Sequence, residues 1–173
     1  MDTWLLKLNV NKCKSVSYGK CIELASEYTV SDTVIDKVDK IQNLGRLFDC
    51  RLKFVQHIKA KINTSYQMLG INKRNFIQFT PDSFVVLYKF IVRSHLKYSV
   101  CVWNPHRQQL IEKLEKIQKR TSKLITAVKS LKYEETLRYL NLPTLKYRRI
   151  RGDMTEVYKM FSGRYDQSSL LFQ

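Results

Sequence analysis

Residues 87–125, LYKFIVRSHLKYSVCVWNPHRQQLIEKLEKIQKRTSKLI, constrain the fold more than any other stretch of the chain. They read as two helices broken at Trp103-Asn104-Pro105, because proline lacks an amide donor and biases the residue before it away from the α region. Beyond the break, Leu110, Leu114, Ile117, Thr121, Leu124 and Val128 recur at alternating four- and three-residue spacing. This is one apolar stripe with a single threonine in it, and it predicts packing on neighbouring helices. Lys113, Lys116, Arg120 and Lys123 repeat at the same spacing on its flank. One side of this helix asks for a core, and the adjacent side presents four cations.

Charge says what such a side would face. Lys and Arg number 31 against 15 Asp and Glu, a formal net charge of +16. The excess is uneven: residues 1–86 carry 13 basic and 8 acidic groups, and residues 87–173 carry 18 and 7. A folded chain this basic points to a polyanion, nucleic acid before an anionic membrane surface; the bland alternative is a solubilising surface. Cys13, Cys21, Cys50 and Cys101 form no CxxC pair and no zinc spacing, so they are expected to be reduced thiols, mostly buried. Leu5-Leu6 is too short for a signal-peptide core, and no apolar run of about 18 residues exists. The chain is expected to be intracellular, in nucleus or cytoplasm, with no membrane partner.

Period changes divide the rest. Trp4, Leu5 and Leu8 suggest about two helical turns before Asn9-Val10-Asn11. Short strands are expected at Cys13–Tyr18, at Glu27–Val30 with a turn at Ser31-Asp32, and from about Val38 to Phe48. From Lys53 the period is helical, with Phe54, His57/Ile58, Ile62, Tyr66 and Leu69 on one face and Gly70 as C-cap. Thr80 as N-cap and Pro81 at the first position open a helix over about 81–103, apolar nearly all round and so expected to be buried. A short helix at about Tyr133–Leu140 and a last helix over about 145–161 follow, then a frayed tail. The predicted fold is mainly α: a helical bundle over 53–162, preceded by a small antiparallel β part over 1–52, with 163–173 as tail.

No complete active site is visible. Two-metal phosphoryl transfer needs converging carboxylates, whereas Asp32, Asp36, Asp39 and Asp49 are spread over turns and Glu134-Glu135 point apart on a helix. His57 lies on an apolar helix face, where a satisfied core histidine is the ordinary case, and His95 and His106 lack partners at metal spacing. The basic stripe is the stronger signal, read either as phosphate contacts or as a solvated face that Glu112 and Glu115 neutralise. Arg148, Arg149 and Arg151 crowd the start of the last helix, where the dipole favours anions. A bound phosphate would resolve that conflict, or Asp153 would pair with Arg149. Tyr88, Phe90, Tyr98, Trp103, Tyr139 and Tyr158 are expected to pack in the core rather than stack on bases.

Several segments in order resemble one family. They are Trp4 with Leu8-Asn9-Val10-Asn11-Lys12-Cys13-Lys14, Leu44-Gly45 with Phe54 and His57-Ile58, and Leu87-Tyr88-Lys89 with Val92-Arg93-Ser94-His95-Leu96-Lys97-Tyr98. After these come Trp103-Asn104-Pro105, Leu114 to Arg120, Tyr133-Glu134-Glu135 and Arg148 to Asp153. Together they resemble the C-terminal part of reverse transcriptases from jockey-like non-LTR retrotransposons. The resemblance implies that Trp4 to about Tyr18 ends a polymerase palm, with Lys12 near the incoming nucleotide's phosphates as a proton donor. It makes Val38–Phe48 a primer-gripping hairpin with Leu44-Gly45 at its tip or bend. Residues from about 53 become a thumb that holds an RNA–DNA hybrid, to which Arg93, the α-helical stripe and the Arg148 cluster would contribute.

The resemblance also implies that the metal-binding aspartates of such an enzyme lie upstream of Met1, so that Mg²⁺ belongs to the intact parent enzyme and this chain binds no cofactor. On that expectation the chain is a truncated element product that grips template and primer without polymerase activity of its own. The alternative is an inactive structural or interaction remnant, self-associating through unpaired hairpin edges or docking to other element-encoded proteins.

Overall fold

The structure is a computed structural model that describes residues 9–19, 27–30, 33–76 and 80–164. The protein is mainly α, with two small antiparallel strand pairs near its start. The chain divides into two compact units, Met1–His57 and Ile58–Gln173.

In the first unit a 3₁₀ turn covers Val10–Lys12. The strand expected at Cys13–Tyr18 reduces to one parallel bridge, Ser15 to Lys37, because alternation alone supplies no partner strand. Strands β1 (Thr29–Val30) and β2 (Thr33–Val34) pair antiparallel. The turn expected at Ser31-Asp32 and the helical turns at Trp4–Leu8 lie outside the described residues.

The stretch read as one strand from Val38 to Phe48 is a hairpin, β3 (Lys40–Asn43) against β4 (Arg46–Asp49). Leu44 and Gly45 form its tip with φ of 47° and 72°. Positive φ at both central residues is the geometry whose twist matches a two-residue hairpin. Glycine adopts it freely, whereas Leu44 is strained there by about 1–2 kcal/mol.

Asp49 then fixes the way out of the hairpin. Its Oδ1 accepts from the amides of Arg51 (3.1 Å) and Lys53 (3.0 Å), and its Oδ2 from that of Phe54 (2.9 Å). These bonds hold Leu52 and Phe54 at φ of 50° and 53°. Phe54 meets Phe48 edge to face, and His57 is buried with Nδ1 accepting the Leu47 amide at 3.2 Å. His57 is thus a core histidine.

Helix α1 (Val55–Asn75) runs on through Gly70, which was expected to end it. An exposed glycine costs helix stability but does not stop a helix whose next residues, Ile71 to Asn75, continue it. Thr80 caps α2 (Pro81–Leu87) as its sequence predicts, with Oγ1 accepting the Ser83 amide. A π-helical turn, Tyr88–Val92, leads into α3 (Arg93–Lys97). Phe84, Tyr88, Val92 and Leu96 are the buried residues of this run. Their strict four-residue spacing would drift about 40° per step on a regular helix, and the extra residue of the π turn brings them back onto one face. Burial is one-sided, contrary to expectation: Val86 and Phe90 are 53% and 75% exposed.

The long helix expected to Trp103 breaks earlier, at Ser99, whose φ is 52°. A one-turn helix, α4 (Val100–Trp103), follows, with Trp103 buried and its Nε1 donating to the Tyr98 carbonyl at 2.8 Å. Asn104 then takes an extended ψ of 121°, as a residue before proline should.

Helix α5 (Gln108–Ser122) buries Leu110, Leu114, Ile117 and Thr121. It ends before Leu124, and Val128 reaches the core through a 3₁₀ turn, Thr126–Val128, so the stripe is not one helix to its end. Helix α6 (Tyr133–Tyr139) closes with Asn141 at φ 48°, where Leu142 N–H bonds the Leu137 carbonyl and Asn141 N–H that of Arg138. Helix α7 (Leu145–Phe161) packs on α4 and α5. A buried polar thread ties these pieces: Tyr88 Oη donates to Gln118 Oε1 (2.8 Å), and Gln118 Nε2 to the Pro143 carbonyl (3.0 Å).

Two expectations fail at the level of burial. Cys13 and Cys50 are half-buried and Cys101 is exposed. Of the six aromatics expected in the core, Tyr88 and Trp103 are buried, whereas Phe90, Tyr98, Tyr139 and Tyr158 are exposed.

Candidate nucleic-acid interface

Helix α5 turns its apolar side chains inward and leaves Lys113, Lys116, Arg120 and Lys123 exposed. Their three- and four-residue spacing spreads them over about 15 Å of helix axis on one face. Lys119, also exposed, joins that face, three residues after Lys116 and four before Lys123, a position the reading of the stripe gave to Arg120 alone. None of the five forms an ion pair with a carboxylate among the described residues. Arg120 lies 5.4 Å from the Tyr66 ring and Lys119 6.0 Å from that of Tyr133, so these two heads rest on aromatic faces rather than on acids.

The two glutamates of this helix are engaged elsewhere. Glu112 accepts from Gln108 Nε2 at 3.2 Å. Glu115 Oε1 accepts from Tyr133 Oη at 2.7 Å and from the Leu145 amide at 3.3 Å, and its Oε2 from the Lys146 amide at 3.3 Å. Glu115, with the Thr144 hydroxyl on the Tyr147 amide (3.1 Å), therefore fills the head of α7. The sequence asks for an anion at that helix start, and α5 supplies it. Burial and this bond to Glu115 together push the Tyr133 phenol far above its ordinary value.

The arginines beside that helix start are sorted by the fold. Arg148 and Arg149 line a cleft of about 250 Å³ with Arg93 and Lys97, while Arg151 is exposed in a separate groove beside Arg138 and Tyr147. Arg149 is 7% exposed, and burial lowers its affinity for a proton, opposed by Glu115 and Asp153. Asp153 itself accepts from Asn104 Nδ2. Arg93, 6.0 Å from the Tyr88 ring, is likewise lowered by burial first and then by the like charge of Arg148.

Lys12, Leu44 and Gly45 belong to the first unit. Lys12 is exposed on the 3₁₀ turn, and Leu44 is 72% exposed at the hairpin tip. No group of three or more His, Cys, Asp or Glu side chains among the described residues has the arrangement to hold a metal ion. No helix among the described residues is long and apolar enough to cross a membrane.

A relative in Caenorhabditis elegans, an uncharacterized protein, is 26% identical over 130 residues, covering 73% of this chain and 66% of that protein. No family model matches the chain, and no solved structure matches it.

Proposed function

We propose that this chain grips a nucleic-acid duplex, as the thumb-like, template–primer-binding part of an RNA-directed DNA polymerase from a jockey-like non-LTR mobile element. The observation that carries the binding role is the exposed α5 face, whose cations have no carboxylate partner among the described residues while both nearby glutamates are committed elsewhere. A helix face left this electropositive lowers its energy by displacing counterions from phosphates, without reading sequence. The ordered segments from Leu87 to Asp153 support the polymerase context, and the hairpin with Leu44-Gly45 at its tip is what the primer-gripping reading requires. Binding rather than catalysis is the role proposed.

Titrating the chain with an RNA–DNA hybrid across a salt series tests this. Affinity falls steeply with salt and hardly changes with sequence. Replacing Lys113, Lys116, Arg120 and Lys123 together by alanine flattens the salt slope by up to about four units. A slope that the replacement leaves unchanged removes the face from the interface.

A structural or interaction role without nucleic acid is the second reading. It is favoured by Tyr147, Ile150, Met154 and Phe161 of α7, which are 53–89% exposed at three-, four- and seven-residue spacing. A chain that binds no duplex even at low salt leaves that reading standing.

A further inference from the structure

We infer that the cleft between α3–α4 and α7 is an anion site that seats one phosphate group carried on a small organic body. This deepens the duplex-binding reading, but it stands on the cleft's own chemistry and on none of the α5 stripe, so the two can fail separately.

The cleft is lined by four cations, Arg93, Lys97, Arg148 and Arg149, against one carboxylate, Glu156. That carboxylate is already bonded to Lys159 Nζ at 2.9 Å. Arg93 and Arg148 have no acidic partner among the described residues, and Arg148 disfavours the charge on Arg93. Like charges brought together in a half-buried wall are a standing cost unless an anion enters between them.

Arg149 gives a second, independent sign. Its side chain is 7% exposed, and its Nη2 is buried without a hydrogen-bond partner among the described residues. Buried guanidinium nitrogens are normally satisfied, so an unpartnered one in the wall of a cationic cleft marks a missing acceptor.

The size and the rest of the wall narrow the ligand. About 250 Å³ lies below the roughly 300–1,000 Å³ of sites for drug-sized molecules, which leaves room for one anionic group and a short body. Leu96, Val100 and Leu145 supply apolar surface for that body. Four cations against one acid leave three positive charges, enough to balance a phosphate dianion, and planar guanidinium forks match phosphate oxygens pairwise. A terminal phosphate with its sugar has this chemistry, whether on a nucleic-acid strand or on a free nucleotide.

The test uses the full chain and follows the arginine Nε–H resonances by NMR during titration. The probes are inorganic phosphate, a nucleoside monophosphate, and a short single strand with or without a 5′ phosphate. Binding shifts Arg93, Arg148 and Arg149 together. Arg93→Gln and Arg148→Gln each weaken it at least about tenfold, the scale of one lost charge-assisted hydrogen bond. The variant with alanine at the four α5 positions keeps the phosphate response while losing duplex affinity. Preference for the phosphorylated strand over the free nucleotide assigns the site to strand ends, and the reverse preference assigns it to free nucleotides. Resonances that no probe moves, or a response that survives both glutamine variants in folded protein, overturn the inference.

Discussion

The face of α5 and the head of α7 both concentrate positive charge, and the fold treats the two in opposite ways. On α5 the cations are exposed at helical spacing with no ion-pair partner among the described residues, whereas at α7 Arg148 and Arg149 line a cleft, with Glu115 and Asp153 acting on Arg149. The first arrangement suits many weak, interchangeable phosphate contacts. The second suits one contact of fixed geometry. Salt separates them: removing the four α5 cations should flatten the slope of log affinity against log salt by up to about four units, worth about a hundredfold in affinity between low and physiological salt. Arg93→Gln with Arg148→Gln should flatten it by at most about two. Equal effects from the two variants would erase the distinction.

The same contrast explains what the sequence could tell. The α5 stripe was legible because spacing within one helix fixes which residues share a face. Leu110, Leu114, Ile117 and Thr121 are buried as that spacing requires, and the lysines between them are not. The last helix, the Thr80-Pro81 start and the core role of His57 were legible for the same local reasons. The cleft was not, because Arg93 and Arg148 lie 55 positions apart and meet only once the break at Ser99 turns α4 back onto α7. Nor was the role of Glu115, which looks from its neighbours like a partner for lysine and in fact reaches α7. The aromatics misled because Phe90, Tyr98 and Tyr158 share helical spacing with core residues but lie on the outward side.

Glu115 is where the two regions touch, so its replacement probes both. Glu115→Ala removes the acceptor of Tyr133 Oη and of two α7 amides and leaves Arg149 with less opposing charge. The loss should be about 2–4 kcal/mol in urea unfolding, the range for an orphaned network with a partly buried charge. Glu115→Gln keeps one acceptor oxygen, loses the other and drops the charge, so it should cost less than alanine while strengthening phosphate binding in the cleft. A weaker phosphate response in Glu115→Gln would detach Glu115 from the electrostatics of Arg149.

Tyr88 sets the next scale. Burial holds its phenol well above the ordinary value of 10.0, with Arg93 opposing, and Tyr133 is raised in the same direction. A phenol whose folded pKa is raised contributes fully below the unfolded value and loses that contribution as pH climbs past it. Above about pH 10 the unfolded chain ionises and the folded chain does not, so stability should fall from there upward. Tyr88→Phe removes one of these groups and should make the alkaline decline shallower. It should also cost about 1–3 kcal/mol at neutral pH, because Gln118 Oε1 loses its donor. Phenylalanine keeps the ring beneath Arg93, so the variant should leave both phosphate binding and the salt slope of duplex binding alone.

The smallest expected effect discriminates most finely. Gly152 lies within α7 and lines the cleft, and a Cβ built there meets nothing within 4 Å. Glycine inside a helix costs about 0.5–1 kcal/mol relative to alanine, so Gly152→Ala should stabilise the chain by about that amount. The added methyl changes no charge, and the α5 face is untouched, so duplex affinity and its salt slope should stay as they are. A larger side chain at the same place, as in Gly152→Leu, takes volume from the cleft while keeping every cation. If the cleft works by seating one group of defined size, Gly152→Leu loses the phosphate response with the charges intact. If the arginines act only as a diffuse positive field, the response survives the loss of space, and the head of α7 behaves like a second α5 face after all.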